Sequence, residues 1–110
     1  MTVQELCERL ELKVLVKTGD MNKKVTGGYT GDLLSWVMAR MPADAAWLTV
    51  MGNINSIAVA SLKDAACIIL TDSVSLDEDA QKRAQQQGIT VLSSQRNSYE
   101  LGVELAELLR

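Results

Sequence analysis

The sequence contains no histidine and no phenylalanine, and aromatic residues make up only 4% of its 110 positions. Without histidine the chain lacks the commonest general base near neutral pH and the commonest metal ligand, which excludes Ser-His-Asp, Cys-His and HExxH mechanisms. The few aromatic rings offer little stacking surface for nucleic-acid bases. These absences argue against the common hydrolase types and against a single-stranded nucleic-acid binder.

Charge and hydropathy exclude two further kinds of partner. The formal net charge is -3 and no dense run of Lys or Arg is present, so we expect no nucleic-acid partner. The longest apolar run, Ala65–Leu70, is far shorter than the roughly 20 residues that span a bilayer, and the amino terminus lacks a basic region followed by an apolar one. We therefore expect no membrane association and a cytoplasmic location.

Several motifs of catalytic or metal sites are also missing. Cys7 and Cys67 lack CxxC spacing and are predicted to be reduced thiols. The window Gly19–Lys24 has lysine where a P-loop needs its second glycine, and neither GxSxG nor GxGxxG occurs. We predict a non-catalytic chain with no metal and no cofactor. An enzyme that uses Asp32 or Asp72 with a metal is the less favoured alternative.

Apolar runs alternate with amphipathic segments along most of the chain. Strands are predicted at Lys13–Lys17, Trp47–Met51, Cys67–Leu70 and Thr90–Leu92, and helices precede, separate and follow them. Buried strands separated by helices of about a dozen residues are typical of a parallel sheet covered on both faces. The sequence therefore predicts one domain over residues 1–110 of the α/β class, a three-layer α/β/α fold with a mostly parallel sheet.

The starts and ends of the helices have their own signals. Capping boxes are predicted where Glu follows a polar residue by three positions, and a lone polar cap is predicted elsewhere. The boxes are Thr2–Glu5, Ser75–Glu78 and Asn97–Glu100, the lone caps are Asp32 and either Asn53 or Asn55, and Gly88 is predicted to close a helix.

Polar residues follow the predicted strands where a ligand could bind. The carboxyl ends of parallel strands converge at one edge of a sheet, beside the free N–H groups of helix starts. Four such junctions, 25–32, 52–56, 71–73 and 93–98, present hydroxyls, amides, glycine backbone and Arg96, a suitable lining for a small polar or anionic molecule. The candidate ligand-binding residues are Gly27, Gly28, Gly31, Gly52, Asn53, Asn55, Thr71, Asp72 and Ser94.

The same residues have structural interpretations that need no ligand. Glycines such as Gly27, Gly28 and Gly31 before a helix commonly allow a positive φ in a tight turn. Thr71 and Asp72 can satisfy the free donors of a helix end. The paired Lys23 and Lys24 can be a solvated patch.

Three stretches of the chain together resemble the DRTGG domain family. They are Val25–Ser35, Trp47–Val50 and Asn53–Ala60, and the resemblance continues through Ala66–Ser73, Gly88–Leu92 and Ser98–Leu101. The family is similar to the amino-terminal domain of HPr kinase/phosphorylase, and this chain resembles its small stand-alone members. Where other members carry Asp-Arg and Thr-Gly-Gly, this chain has Asn53-Ile54 and Thr71-Asp72-Ser73.

The resemblance implies an α/β/α layer fold and a non-catalytic regulatory role. The first functional hypothesis is a sensing module for a small polar or anionic metabolite, which includes nucleotides. The alternative is a protein-interaction or oligomerisation domain, an accessory subunit of a metabolic enzyme, with an exposed apolar face at Trp36, Met38 and Met41 or at Leu101, Leu105 and Leu108. In both cases we expect a homodimer or a higher homo-oligomer, and a partner enzyme.

Overall fold

The computed structural model describes residues 1–18 and 20–110. Five helices and five strands lie within these ranges: α1 Val3–Arg9, β1 Lys13–Val16, β2 Gly27–Thr30, α2 Leu34–Arg40, β3 Ala45–Thr49, α3 Ile54–Leu62, β4 Cys67–Leu70, α4 Glu78–Gln87, β5 Val91–Ser93 and α5 Ser98–Leu108. The window predicted not to be a P-loop includes Gly19, which lies outside the described residues.

The strands form one sheet in the order β1-β5-β4-β3-β2. Strands β2 to β5 run parallel to one another, whereas β1 pairs with β5 in the antiparallel sense at the edge. Lys13 at the start of β1 lies opposite Ser93 at the end of β5. The amino end of β1 therefore lies at the same edge of the sheet as the carboxyl ends of the other four strands.

Helices cover both faces of the sheet, which confirms the predicted α/β/α fold. All residues of β3 and β4 are buried because successive side chains point to opposite faces, and each face has its own apolar cluster. Leu48 and Ile69 belong to the cluster that includes residues of α1 and α5. Trp47 and Ile68 belong to the cluster that includes residues of α2, α3 and α4.

The connections that leave β4 and β5 diverge. The helix after β4, α4, contributes Ala80 and Ala84 to one apolar cluster, and the helix after β5, α5, contributes Leu101 and Leu105 to the other. The two intervening loops thus lead to opposite faces of the sheet. In open α/β sheets, neighbouring strands whose connections diverge leave a crevice at their carboxyl ends.

Three of the predicted helix starts are confirmed. Thr2 Oγ1 accepts a hydrogen bond from Glu5 N at 3.1 Å, and Thr2 N donates to Glu5 Oε1 at 3.2 Å. Asn97 Oδ1 accepts from Glu100 N at 2.9 Å. Asn53 is the cap of α3, and Gly88 ends α4 with a φ of 72°.

Two other predicted caps are wrong. The carboxylate of Asp32 does not cap α2, because its Oδ1 accepts hydrogen bonds from Thr49 Oγ1 at 2.7 Å and from Val50 N at 2.9 Å. The cap residue of α2 is Leu33, which has no capping side-chain bond. The box at Ser75–Glu78 also does not form, since α4 begins after Asp77 without a side-chain cap.

The glycine-rich junction at 25–32 is not simply a loop, because Gly27–Thr30 forms the edge strand β2. Among the described glycines only Gly88 has a positive φ, so the turn interpretation of Gly27, Gly28 and Gly31 is wrong. A Cβ at Gly28 would lie 2.7 Å from Leu105 Cδ2 on α5, so the Leu105 side chain would have to shift.

The predicted apolar faces are only partly exposed. Trp36 and Met38 are exposed, but Met41 is buried in the core. The predicted exposed face of α5 is wrong, because Leu101 and Leu105 are buried under the sheet.

No helix within the described ranges has both the length and the apolarity needed to cross a membrane.

Candidate functional site

A cavity of about 720 Å³ opens at the carboxyl ends of β4 and β5. It is lined by Glu11, Lys13 and Leu15 from the β1 edge, residues 73–76 of the β4–α4 loop, Gln81 of α4, and residues 93–96 at the end of β5. Its volume falls within the roughly 300–1,000 Å³ typical of small-molecule sites. We call it the carboxyl-edge cavity.

The β4–α4 loop forms one wall and is fixed by backbone hydrogen bonds to its neighbour. Asp72 N donates to Arg96 O at 3.0 Å, and Ser73 N donates to Ser94 O at 3.0 Å. Both Asp72 and Ser73 have a φ of 57°, the left-handed region that L-residues seldom occupy. The two residues turn the chain sharply at the end of β4 and direct the loop along the cavity.

Gly52 supports the other end of this loop. Its carbonyl oxygen accepts a hydrogen bond from Asp77 N at 2.8 Å. A Cβ at this position would lie 2.2 Å from the carbonyl oxygen of Ser75, which is backbone and cannot move aside alone. Only glycine allows the β3–α3 loop to approach the cavity wall so closely.

The guanidinium of Arg96 joins three parts of the chain beside the cavity. Its Nη1 donates to both carboxylate oxygens of Glu104 on α5, at 2.7 and 2.6 Å. Its Nε donates to Ser94 Oγ at 3.3 Å, and its Nη2 donates to the carbonyl oxygen of Leu10. These bonds hold the cation in one orientation at the cavity margin.

The lining mixes polar and apolar side chains. Lys13 and Arg96 supply positive charge, and Glu11 supplies one negative charge. Hydroxyls and amides come from Ser73, Ser75, Ser93, Ser94, Gln81 and Gln95, and apolar surface comes from Leu15, Val74 and Leu76. Hydroxyl, amide and guanidinium groups together can bind the oxygens of a polar or anionic molecule. The arrangement is suited to recognition.

Two thiols have raised pKa values, and neither lines the cavity. Burial raises the pKa of Cys67 to about 12, with a further rise from the neighbouring Cys7 and an opposing effect of Lys23. Burial, and then the charge of Glu8, raise the pKa of Cys7. Both thiols are free and protonated at neutral pH. Within the described residues, no group of three or more Cys, Asp or Glu side chains is placed to bind a metal.

The structure brings four of the nine candidate residues to the carboxyl-edge cavity or its wall. Ser94 lines it, and Asp72 precedes the lining residues of the β4–α4 loop. Thr71 is buried behind that loop, where its Oγ1 lies 3.0 Å from Ser98 Oγ. Gly52 lies after β3 and contacts the β4–α4 loop.

The other five candidates lie elsewhere. Asn53 caps α3, and Asn55 is exposed in the first turn of that helix. Gly31, at the end of β2, accepts a hydrogen bond from Trp47 Nε1 at 2.9 Å, two strands away from β4. Gly27 and Gly28 lie at the amino end of β2, and Gly28 lines a smaller cavity of about 180 Å³ between β2 and α5.

Sequence reasoning missed the lining residues Glu11, Lys13 and Gln81. Glu11 and Lys13 reach the cavity because β1 is antiparallel to β5, and no local pattern specifies that pairing. Gln81 lies in the first turns of α4, on the side that faces the cavity. The capping signal at Asn97 indicates where α5 begins but not which side chains face a shared opening.

Comparison with known proteins supports the fold and gives the family. No curated protein is significantly similar in sequence. The structure is similar to the crystal structure of the CBS and DRTGG domains of the regulatory region of Clostridium perfringens pyrophosphatase, complexed with its activator diadenosine tetraphosphate, with a TM-score of 0.71 and 11% identity. The match covers 94% of this chain but only 45% of the pyrophosphatase chain. The DRTGG domain model matches residues 5–108, and the chain therefore belongs to the DRTGG domain family.

Proposed function

We propose that this chain is a non-catalytic regulatory module that binds a small polar or anionic metabolite in the carboxyl-edge cavity, with nucleotides as the first candidates. One observation carries the proposal: the cavity lies where the connections of β4 and β5 diverge, and cationic, polar and apolar side chains line it. Ligands of open α/β folds bind at such positions.

The fold comparison supports the regulatory part of the proposal. The similar pyrophosphatase region, which contains CBS and DRTGG domains together, is complexed with an activator that is a dinucleotide. By analogy, this chain would regulate a partner enzyme in response to its own ligand. Adenine mononucleotides and diadenosine polyphosphates are therefore the first compounds to test.

Calorimetric titration of the purified chain with these nucleotides tests the proposal. Gln81→Trp places a large ring in the cavity from an exposed helix position and should abolish binding without unfolding the protein. Gln86→Trp is the matched control, since Gln86 is exposed on the same helix and does not line the cavity. Binding that survives Gln81→Trp, or no binding of any compound to the wild-type chain, would contradict the proposal.

A second candidate function is self-association or partner binding through α2 and its surroundings. Leu33, Trp36 and Met38, which lie at the start of α2 or within it, are 59%, 54% and 38% exposed. Exposed apolar side chains that lie together on one helix can mark an interaction surface. The guanidinium of Arg40 lies 4.1 Å from the Trp36 ring centre and covers part of it. Sedimentation of the wild-type chain and of Trp36→Ser distinguishes the outcomes. A wild-type chain that is monomeric at all concentrations would argue against self-association.

A further inference from the structure

Arg96 is positioned for ligand recognition before any ligand enters. Its Nε is bound to Ser94 Oγ, its Nη2 to the Leu10 carbonyl and its Nη1 to Glu104, so the side chain is held from three sides. An arginine offers five N–H donors in one plane. A cation that is already oriented loses little conformational freedom when it binds an anion.

Glu104 is the replaceable partner of this arginine. A carboxylate fits a guanidinium best through two parallel bonds from two nitrogens, but both oxygens of Glu104 contact only Nη1. The side chains of Arg96 and Glu104 are 30% and 43% exposed, so water and salt screen the pair. An anion in the cavity therefore competes against a weak internal partner.

Lys13 provides a second cation that an anion in the cavity can contact. Lys13 lines the same cavity, and no carboxylate of the described chain lies within ion-pair distance of it. Glu11 is the only acidic residue among the lining residues. Arg96 is paired with Glu104, so it adds a net positive charge to the cavity only when Glu104 is displaced.

We infer that the ligand of the carboxyl-edge cavity carries an oxyanion, a phosphate or a carboxylate, that binds Arg96 in place of Glu104. This inference rests on the proposed function and names the ligand class for that same cavity. Lys13 is the second cation that contacts the oxyanion. Glu104 acts as an internal competitor: it holds Arg96 ready in the empty cavity and is displaced when the ligand binds.

The experiment is calorimetry of the full chain with three probes: pyrophosphate, citrate and adenosine. The first two distinguish a phosphate ligand from a carboxylate ligand, and adenosine is the neutral control. Glu104→Gln removes the competitor and should tighten binding of the preferred anion about two- to fivefold, the fold-change that corresponds to a partly exposed ion pair. Arg96→Gln should weaken that binding at least tenfold. Glu107→Gln, an exposed position on the same helix, should leave it unchanged.

Other results would overturn the inference. If Glu104→Gln leaves anion binding unchanged or weakens it, Glu104 is not a competitor. If adenosine binds and neither anion does, the oxyanion class is wrong while the proposed binding function stands. If no probe and no nucleotide binds the wild-type chain, the proposed function fails together with the inference.

Discussion

Replacement of Ser73 by glycine should stabilise this protein. Ser73 and its neighbour Asp72 both have a φ of 57°, and no side-chain hydrogen bond of Ser73 compensates for that conformation within the described residues. The left-handed region costs an L-residue roughly 1–2 kcal/mol. Glycine removes this cost but adds about 0.5–1 kcal/mol of conformational entropy in the unfolded chain. The net gain for Ser73→Gly is about 0.5–1 kcal/mol.

Thermal and urea unfolding of Ser73→Gly measure this gain directly. For a domain of this size the predicted gain corresponds to a rise in Tm of about 2–6 °C. Ser75→Gly is the matched control, because Ser75 lies in the same loop and its φ is not positive, so this variant should lose about 0.5–1 kcal/mol. If both variants were destabilised equally, residue 73 would not adopt the left-handed conformation and the geometry assigned to the cavity wall would be wrong.

Asp72 allows a comparison within the same turn, because its φ of 57° equals that of Ser73. Asp tolerates this region better than Ser does. Asp72→Gly should therefore stabilise the chain less than Ser73→Gly does.

Three further predictions concern other parts of the fold. Gly52→Ala should destabilise the protein by about 2–4 kcal/mol in urea unfolding, a range that reflects strong overpacking, because its Cβ would lie 2.2 Å from the Ser75 carbonyl oxygen. Gly102→Ala, a helical position with no atom within 4 Å of the added Cβ, should instead stabilise it slightly, and the opposite order would refute the packing argument. Asp32→Ala should cost about 1–3 kcal/mol, because it leaves the Thr49 hydroxyl and the Val50 N–H without their acceptor; a neutral effect in the same assay would contradict this. Burial raises the pKa of Cys67 to about 12, so the folded state favours the neutral thiol. The stability that Cys67 contributes is therefore present below about pH 9 and is lost as the pH rises toward 12. Between pH 9 and 11, the free energy of unfolding should fall less for Cys67→Ala than for the wild type. If it fell equally with pH for both proteins, Cys67 would not titrate in this way.

Local signals in the sequence correctly predicted three of the five helix caps. The caps at Thr2, Asn53 and Asn97 involve side chains and N–H groups only three residues apart, so the sequence itself contains both partners. The buried strands β3 and β4 were equally evident from their continuous apolar runs. Elements whose partners are close in sequence are therefore the predictable part of this fold.

Features that depend on distant contacts were not predictable. Asp32 looks like a helix cap but accepts hydrogen bonds from Thr49 and Val50 at the end of β3, a competition that the local sequence does not reveal. The edge strand β2 contains two glycines and only four residues, so its pairing with β3 decides its conformation. Likewise Lys13 reaches the candidate site through the antiparallel register of β1 on β5.

Amide chemical shifts of the labelled chain show directly whether a small ligand binds in the carboxyl-edge cavity. During titration with an adenine nucleotide or pyrophosphate, we expect the largest shift changes at residues 73–76 and 93–96, with Lys13 and Gln81 also affected. Saturable changes confined to α2 around Trp36, or no change at millimolar ligand, would contradict ligand binding in this cavity.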